Sequence, residues 1–281
     1  MLICAAWLLL LCGCEPQKAA HSDPTATPML GAKKFRAEEF FSGTPLAIAR
    51  AIDAGDMALV RKLAPGVNLA APGRRDMTLM WFAMGRLNYP AVQTLVALGV
   101  DPDTQIAQGV GTALAYTMMP RNDPNDQTGI RLLRAMLDGG LSPSYETPSH
   151  DPLLQRAAGP WGTMAAVQLL VERGTDVNAR DSIGGTALSG SITAMNPEIA
   201  LYLVNHGADF NTNTTNGVSV GWAVHKELGR QAPGPMRTRF EELRDLMIAK
   251  GAKWPPDPPE VVRDHMRAQG LKPAVPPGHA R

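Results

Sequence analysis

All three cysteines of this 281-residue chain lie within its first fourteen positions, at Cys4, Cys12 and Cys14. A thiol can act as a nucleophile, ligate a metal or form half of a disulfide. Because no cysteine follows Cys14, the rest of the chain cannot form an internal disulfide, and its stability must come from packing. Thiol chemistry is therefore predicted at the N-terminus alone.

The other polar residues show no pattern typical of a catalytic or metal-binding site. The six histidines lack a paired spacing such as H-E-x-x-H, and Ser189 and Ser191 lack the G-x-S-x-G context of an activated serine. The acidic run at 123–126 suggests calcium by composition, but it lacks the twelve-residue loop with a closing Glu. We predict no catalytic residue, no metal and no cofactor, and we do not expect an enzyme.

Composition favours a helical protein with a sizeable core. Hydrophobic residues make up 44% of the chain, whereas aromatic residues make up only 5%. The formal net charge is +1, and no block of like charge stands out. A nucleic-acid-binding stripe and a polybasic membrane patch are therefore not expected.

The first residues predict a secretion signal and not a membrane-spanning helix. The apolar run at 2–11 is shorter than the roughly 20 residues that a bilayer requires, and it matches the apolar region of a signal peptide. The following Leu11-Cys12-Gly13-Cys14 resembles the lipobox of bacterial lipoproteins. That resemblance implies cleavage after residue 13 and attachment of a lipid such as palmitate to Cys14. A simple secretory signal with a coincidental cysteine is the alternative.

The lipobox resemblance also implies a location in the bacterial envelope. Glu15 follows the cysteine, where an Asp tends to retain lipoproteins at the inner membrane, so an outer-membrane anchor facing the periplasm is expected. Residues 14–39 then combine the lipidated cysteine with a segment rich in Pro, Ala, Ser and Thr, which predicts a flexible tether.

Two short phrases recur along the chain with a period near 33 residues. Apolar helical stretches end in Gly-x-Asp/Asn phrases or weaker copies of them, and their glycines lie 33, 41, 34, 33 and 44 residues apart. These closing glycines are Gly66, Gly99, Gly140, Gly174, Gly207 and Gly251. Upstream lies an opening phrase of the form Thr-x-Leu-x-x-Ala or a looser version of it. The opening phrases begin at Thr78, Thr112, Pro152 and Thr186.

Together the two phrases and their spacing resemble the ankyrin repeat. The resemblance implies an all-α ankyrin-repeat solenoid of about six helix-turn-helix repeats joined by short hairpin loops, covering residues 40–256. Pro-containing runs predict loops within repeat three at 120–126 and within repeat six at 229–235. Residues 257–281 are expected to form a Pro-rich tail with a short helix.

In ankyrin repeats, partner contacts lie on the hairpin tips and on the concave surface of the first helices. Transferred onto this sequence, those positions predict partner-binding roles for Arg74, Arg75, Met77, Arg86, Gln108, Met119, Ser182, Ile183 and Thr193. The three arginines predict a positive spot suited to an acidic partner, because guanidinium pairs bidentately with carboxylate. The alternative for any single residue is ordinary exposed surface.

The two resemblances imply a monomeric, membrane-anchored module that binds another protein in the bacterial envelope, and not nucleic acid. One version is an immunity protein that neutralises a toxin delivered by a competing cell. Another is an accessory partner of a periplasmic enzyme such as a catalase. A purely structural envelope protein is a further class, which irregular repeats with long insertions do not favour.

Overall fold

The computed structural model describes residues 35–105, 111–123 and 125–274. Cys14 and Gln108, predicted to carry the lipid and to contact a partner, lie outside these residues. Within them the chain forms fourteen α-helices, and the only β-type pairings are two isolated bridges, Glu146 with Pro152 and Asn213 with Ser219.

Twelve of these helices form six consecutive pairs in the described part of the chain, each with a first and a second helix. The pairs are α2 Gly43–Ala54 with α3 Met57–Leu63, α4 Leu79–Gly85 with α5 Tyr89–Ala97, α6 Ala113–Met118 with α7 Thr128–Asp138, α8 Leu153–Ala158 with α9 Met164–Glu172, α10 Ala187–Thr193 with α11 Pro197–Asn205, and α12 Val220–Arg230 with α13 Pro235–Ala249. A short α1, Ala37–Phe40, precedes the pairs, and α14, Pro259–Ala268, follows them.

The recurring opening phrase begins a helix because its first residue is an N-cap. The hydroxyl of Thr78 accepts from Trp81 N at 3.2 Å, and that of Thr112 accepts from Ala115 N at 3.0 Å. This bond satisfies one of the amide groups that the first helical turn leaves without a backbone partner. The recurring threonine is therefore a structural signal.

The closing glycine follows the end of the second helix in every pair, within three residues of it. All six closing glycines have positive φ, from 76° at Gly66 to 107° at Gly140. A side chain makes this left-handed conformation costly, so glycine is the residue that turns the chain from one repeat into the next.

The pairs stack in chain order into one solenoid. Each second helix contacts the second helix of the next pair, from α3 to α13, and first helices also meet, as α8 and α10 do. Small residues such as Ala83, Ala157 and Ala158 are fully buried in the first helices, which lets neighbouring backbones approach. The all-α solenoid of six repeats is thus confirmed.

The two predicted loops differ in their outcome. Residues 119–127 separate α6 from α7, as the proline-containing run at 120–126 predicts. The loop predicted at 229–235 is shorter, because α12 continues through Arg230 and α13 begins at Pro235. Leu228 is buried and Glu227 pairs with Arg230 at 3.2 Å, and these contacts hold the last turn of α12 despite Gly229.

Packing extends beyond the predicted 40–256 at both ends. Phe35 contacts the core at one end. At the other, Arg263 of α14 donates to the carbonyl of Asn216 at 3.0 Å, and Ala274 N donates to the carbonyl of Thr215 at 2.8 Å. No helix in the described ranges has the length and apolar character needed to cross a membrane.

Candidate protein-binding groove

The chain's own segment at residues 35–41 covers the first helix of the second pair. The rings of Phe35 and Phe41 each lie 5.6 Å from the ring of Phe82 in α4, in edge-to-face geometry. A Cβ added to Gly85 would lie 2.8 Å from the ring of Phe35, so glycine makes room for this contact. The first-helix surface of the early repeats is therefore occupied by the protein itself.

This segment binds two of the arginines predicted to contact a partner. Arg74 donates to the carbonyl oxygens of Glu38 and Glu39, the latter at 2.9 Å. Arg86 donates to the carbonyl of Phe35 at 2.7 Å and pairs with Asp53 at 2.7 Å. Both guanidinium groups are already engaged within the chain.

These contacts bear on the predicted positive spot, which stays a prediction. Met77 lies in the core with 8% of its surface exposed, because the residue before Thr78 turns inward as α4 begins. Arg75 remains exposed at the hairpin tip, without Arg74 and Arg86 as free neighbours. Asp53 compensates the charge of Arg86, whereas Arg74 binds neutral carbonyl groups and stays exposed.

Further along, the first helices α6, α8, α10 and α12 line an open groove of about 560 Å³. Its lining includes small residues that let another chain approach the helices closely, among them Ala115, Gly159, Gly190, Ala194 and Ala223. Large apolar side chains also line it and remain exposed: Met119 at 41%, Trp161 at 74% and Ile183 at 58%.

The groove brings together three of the predicted contact residues, Met119, Ile183 and Thr193. Ser182 is exposed on the same hairpin tip as Ile183 but does not line the groove. Trp161 was not among the predicted contact residues, although its sequence context carries a signal. The run Gly159-Pro160-Trp161-Gly162 cannot continue a helix, so a large aromatic side chain there was a candidate for exposure.

Behind the groove, a buried polar cluster joins the third repeat to the fourth. The Asp103 side chain, 3% exposed, receives Arg156 Nη1 at 3.0 and 3.1 Å and the Thr112 hydroxyl at 2.6 Å. The Tyr145 hydroxyl lies 3.5 Å from the same carboxylate. Burial, with the negative charges of Asp101 and Asp103 nearby, raises the pKa of Tyr145 to about 12. Arg156 lines the groove, but its charge is compensated from behind.

On the hairpin side, the groove presents hydrogen-bond acceptors. Asp181 Oδ1 accepts from the backbone of Ile183 at 2.9 Å and of Gly185 at 2.7 Å, which shapes the hairpin tip. Gln155 Nε2 donates to Asp181 Oδ2 at 2.5 Å. The remaining amide oxygen, Gln155 Oε1, is buried without a donor among the described residues.

The described residues offer binding geometry and no metal centre. In the ranges that the structure covers, no three His, Cys, Asp or Glu side chains converge closely enough to hold an ion. The groove combines a wide apolar surface with a few oriented polar groups, an arrangement suited to holding a segment of another molecule.

Comparison with known proteins gives short sequence matches to ankyrin-containing and other proteins. No family model matches the chain. Over 96 residues it is 34% identical to the E3 ubiquitin-protein ligase KEG of Arabidopsis thaliana, covering 34% of this chain and 5% of that protein. Over 57 residues it is 46% identical to Ankyrin repeat and SAM domain-containing protein 6 of Rattus norvegicus, covering 20% of this chain and 6% of that protein. The matched segments thus span only small fractions of these relatives.

Solved structures match over most of the chain. The ankyrin repeat domain of Bcl-3 superposes with a TM-score of 0.50 at 22% identity, covering 79% of this chain and 94% of that one. An ankyrin repeat domain from Acinetobacter baumannii AYE gives a TM-score of 0.48 at 19% identity, covering 74% of this chain and 98% of that one. At such identities the similarity concerns the fold alone.

Proposed function

We propose, from its ankyrin-repeat fold, that this chain is a protein-binding module that takes its partner in the open groove between α6 and α12. The observation that carries the proposal is the exposure of Met119, Trp161 and Ile183 along one continuous groove. Soluble proteins seldom expose large apolar side chains side by side unless another molecule covers them. An aromatic anchor of this kind is a frequent centre of binding energy in protein interfaces.

The early repeats support this choice of surface by their own packing. Phe35 and Phe41 lie against the first helix α4, and α4 corresponds to α6, α8, α10 and α12 in later repeats. An apolar segment already binds this face of the solenoid inside the chain. A partner's segment is proposed to bind the equivalent face where the chain leaves it open.

The groove is tested with a matched pair of surface substitutions. Ile183→Ser removes an exposed isoleucine from the groove, and Ile248→Ser removes one from α13, outside the groove lining. The tagged full-length protein carrying each change is cross-linked in its native cells, and the recovered proteins are compared. The partner is expected to be depleted by Ile183→Ser and retained by Ile248→Ser. Equal recovery from the two variants contradicts a role for the groove.

We further propose that a lipid on Cys14 holds the module at a bacterial membrane, facing the periplasm. Support comes from the sequence: an apolar run of signal-peptide length followed by Leu11-Cys12-Gly13-Cys14. Labelling of cells with a fatty-acid analogue, followed by separation of the membrane and soluble fractions, tests the proposed anchor. The label is expected on the native chain and absent after Cys14→Ala, and a label that persists after Cys14→Ala contradicts the anchor.

The identity of the partner distinguishes two more specific functions, an immunity protein that neutralises a toxin and an accessory protein of a periplasmic enzyme. An immunity protein is expected to recover a secreted toxin and to abolish its activity on mixing. An accessory protein is expected to recover a resident periplasmic enzyme and to leave it active or more active. Activity of the recovered partner with and without the module is therefore the distinguishing measurement.

A further inference from the structure

The two ends of the solenoid's first-helix surface have opposite hydrogen-bonding character. In the early repeats, the donors Arg74 and Arg86 face this surface, and both bind carbonyl oxygens of the segment at 35–41. In the open groove, the charged lining side chains without an ion partner among the described residues are the carboxylates of Asp151 and Asp181. A segment that suits the open groove must therefore bring donors.

Gln155 and Asp181 place two acceptors side by side. The carboxylate of Asp181 receives Gln155 Nε2, which fixes the amide orientation, because a flipped amide would set its oxygen against the carboxylate. Gln155 Oε1 is then left buried and without a donor among the described residues. Buried there without a donor, this oxygen adds a partial negative charge beside the Asp181 carboxylate.

The charge of the groove points the same way. Asp151 and Asp181 both line it, and neither takes part in an ion pair within the described ranges. Arg156 is the one basic side chain in the lining, and Asp103 compensates its charge from the buried side. Among the lining residues, a ligand therefore meets two carboxylates and no cation that lacks an ion partner.

We propose that the groove takes a short segment of a partner protein that carries apolar side chains together with a Lys or Arg. The apolar side chains cover Met119, Trp161 and Ile183, and the basic group lies beside the carboxylates of Asp181 and Asp151. This deepens the proposed function, on which it rests, by naming the chemistry of the bound segment. An acidic segment is disfavoured because it would bring a further negative charge to an acceptor-lined wall.

The size of the groove sets the length of the test ligand. Four first helices packed about 10 Å apart span about 30 Å, which an extended segment of about nine residues covers. The test ligands are therefore two fluorescent pools of nine-residue synthetic peptides, each containing Leu and Phe. One pool carries a single Lys at varied positions, and the other carries Glu at the same positions.

Binding of both pools to the full-length protein is measured by fluorescence anisotropy. The Lys pool is expected to bind about tenfold more tightly than the Glu pool, because the two carboxylates attract Lys and repel Glu. Asp151→Asn with Asp181→Asn removes both charges and keeps the oxygen that accepts from the backbone. The Gln155 amide then turns so that its oxygen accepts from the new Asn Nδ2. The difference between the pools is expected to fall to about twofold or less. The charge-matched control, Glu172→Gln with Glu260→Gln, changes exposed residues outside the groove and should keep the full difference.

Two results overturn the inference: no preference for the Lys pool, or a preference that survives the paired Asp→Asn changes. Its failure is separable from failure of the proposed function. If neither pool binds while Ile183→Ser still depletes the cellular partner, the partner chemistry is wrong and the groove remains the binding surface. If Ile183→Ser leaves the cellular partner unaffected, the proposed function itself fails.

Discussion

Arg156 of α8 reaches back across a repeat boundary to bind the carboxylate of Asp103, 53 residues earlier in the chain, through Nη1 at 3.0 and 3.1 Å. The Asp103 side chain is 3% exposed and that of Arg156 is 25% exposed. The pair therefore ties the third repeat to the fourth beneath the groove. It also removes the one basic group of the groove lining from competition for a ligand.

Replacing Arg156 by Met is expected to lower the free energy of unfolding by about 3 kcal/mol. The change leaves the buried Asp103 carboxylate without its cation, and an unpaired buried charge is costly. Arg173→Met is the control, since Arg173 also bridges repeats, to Asp138 at 2.7 Å, but with 32% and 40% of the two side chains exposed. That change should cost less than about 1 kcal/mol. Urea unfolding followed by circular dichroism measures both, and equal losses would contradict the account.

Tyr145 is expected to make the protein less stable above pH 10. In the unfolded chain Tyr145 has an ordinary pKa near 10, whereas in the folded chain its pKa is raised to about 12. Between pH 10 and 12 the unfolded chain therefore loses the phenolic proton while the folded chain keeps it, which favours unfolding. The stabilisation is thus complete below pH 10 and is lost as the pH rises to 12. Spectroscopic titration of tyrosinate should show a step near pH 12 that Tyr145→Phe removes. Burial also raises the pKa of Tyr202, so the comparison is one of amplitude: a high-pH step of undiminished amplitude in Tyr145→Phe contradicts the assignment.

Filling the groove from within should block binding without unfolding the protein. Gly190 lies in α10 and lines the groove, and a Cβ there would meet Gln155 Cγ at an ordinary 3.6 Å. Gly190→Leu is therefore expected to abolish partner recovery while the thermal midpoint stays unchanged or rises. Gly229→Leu places the same side chain on α12 in open space, outside the groove, and should retain the partner. Loss of partner in both variants would show that the groove is not the cause.

Alanine substitution should lower the free energy of unfolding at a closing glycine but not at a glycine inside a helix. Gly174 has a φ of 79°, and a Cβ there would touch nothing within 4 Å, so Gly174→Ala adds backbone strain alone. A loss of about 1 kcal/mol in the free energy of unfolding is expected. Gly229→Ala, inside a helix, should be neutral or stabilising by up to about 1 kcal/mol. If Gly174→Ala proves neutral, its role as the helix-closing residue is refuted.

The repeat architecture was predictable because each repeat carries two local sequence signals, one at the start of its first helix and one after the end of its second helix. A hydroxyl residue such as Thr112 caps the first helix, and a glycine such as Gly207, with a φ of 90°, ends the second. Both requirements act within a few residues, so they leave a trace in the sequence. Helix ends were less predictable. Gly229 was predicted to lie in a loop, but α12 continues through it because the preceding Leu228 is buried.

The candidate site was only partly predictable, because its extent depends on contacts distant in the sequence. Position within a repeat led to Met119, Ile183 and Thr193 as predicted partner contacts, and the structure places all three in the groove lining. The same reasoning placed Arg86 on a free surface, although Phe35, 51 residues earlier, binds it. Local periodicity carries no information on which stretch of first helices the N-terminal segment covers.

The central claim is tested most directly by site-specific photo-cross-linking in the cells that make the protein. A photoreactive benzoylphenylalanine is placed at Trp161, 74% exposed in the groove, or at Met236, 39% exposed on α13. Illumination is expected to link a discrete partner band to the chain labelled at Trp161 and none to the chain labelled at Met236. A partner linked equally from both positions, or from Met236 alone, would contradict binding in the groove.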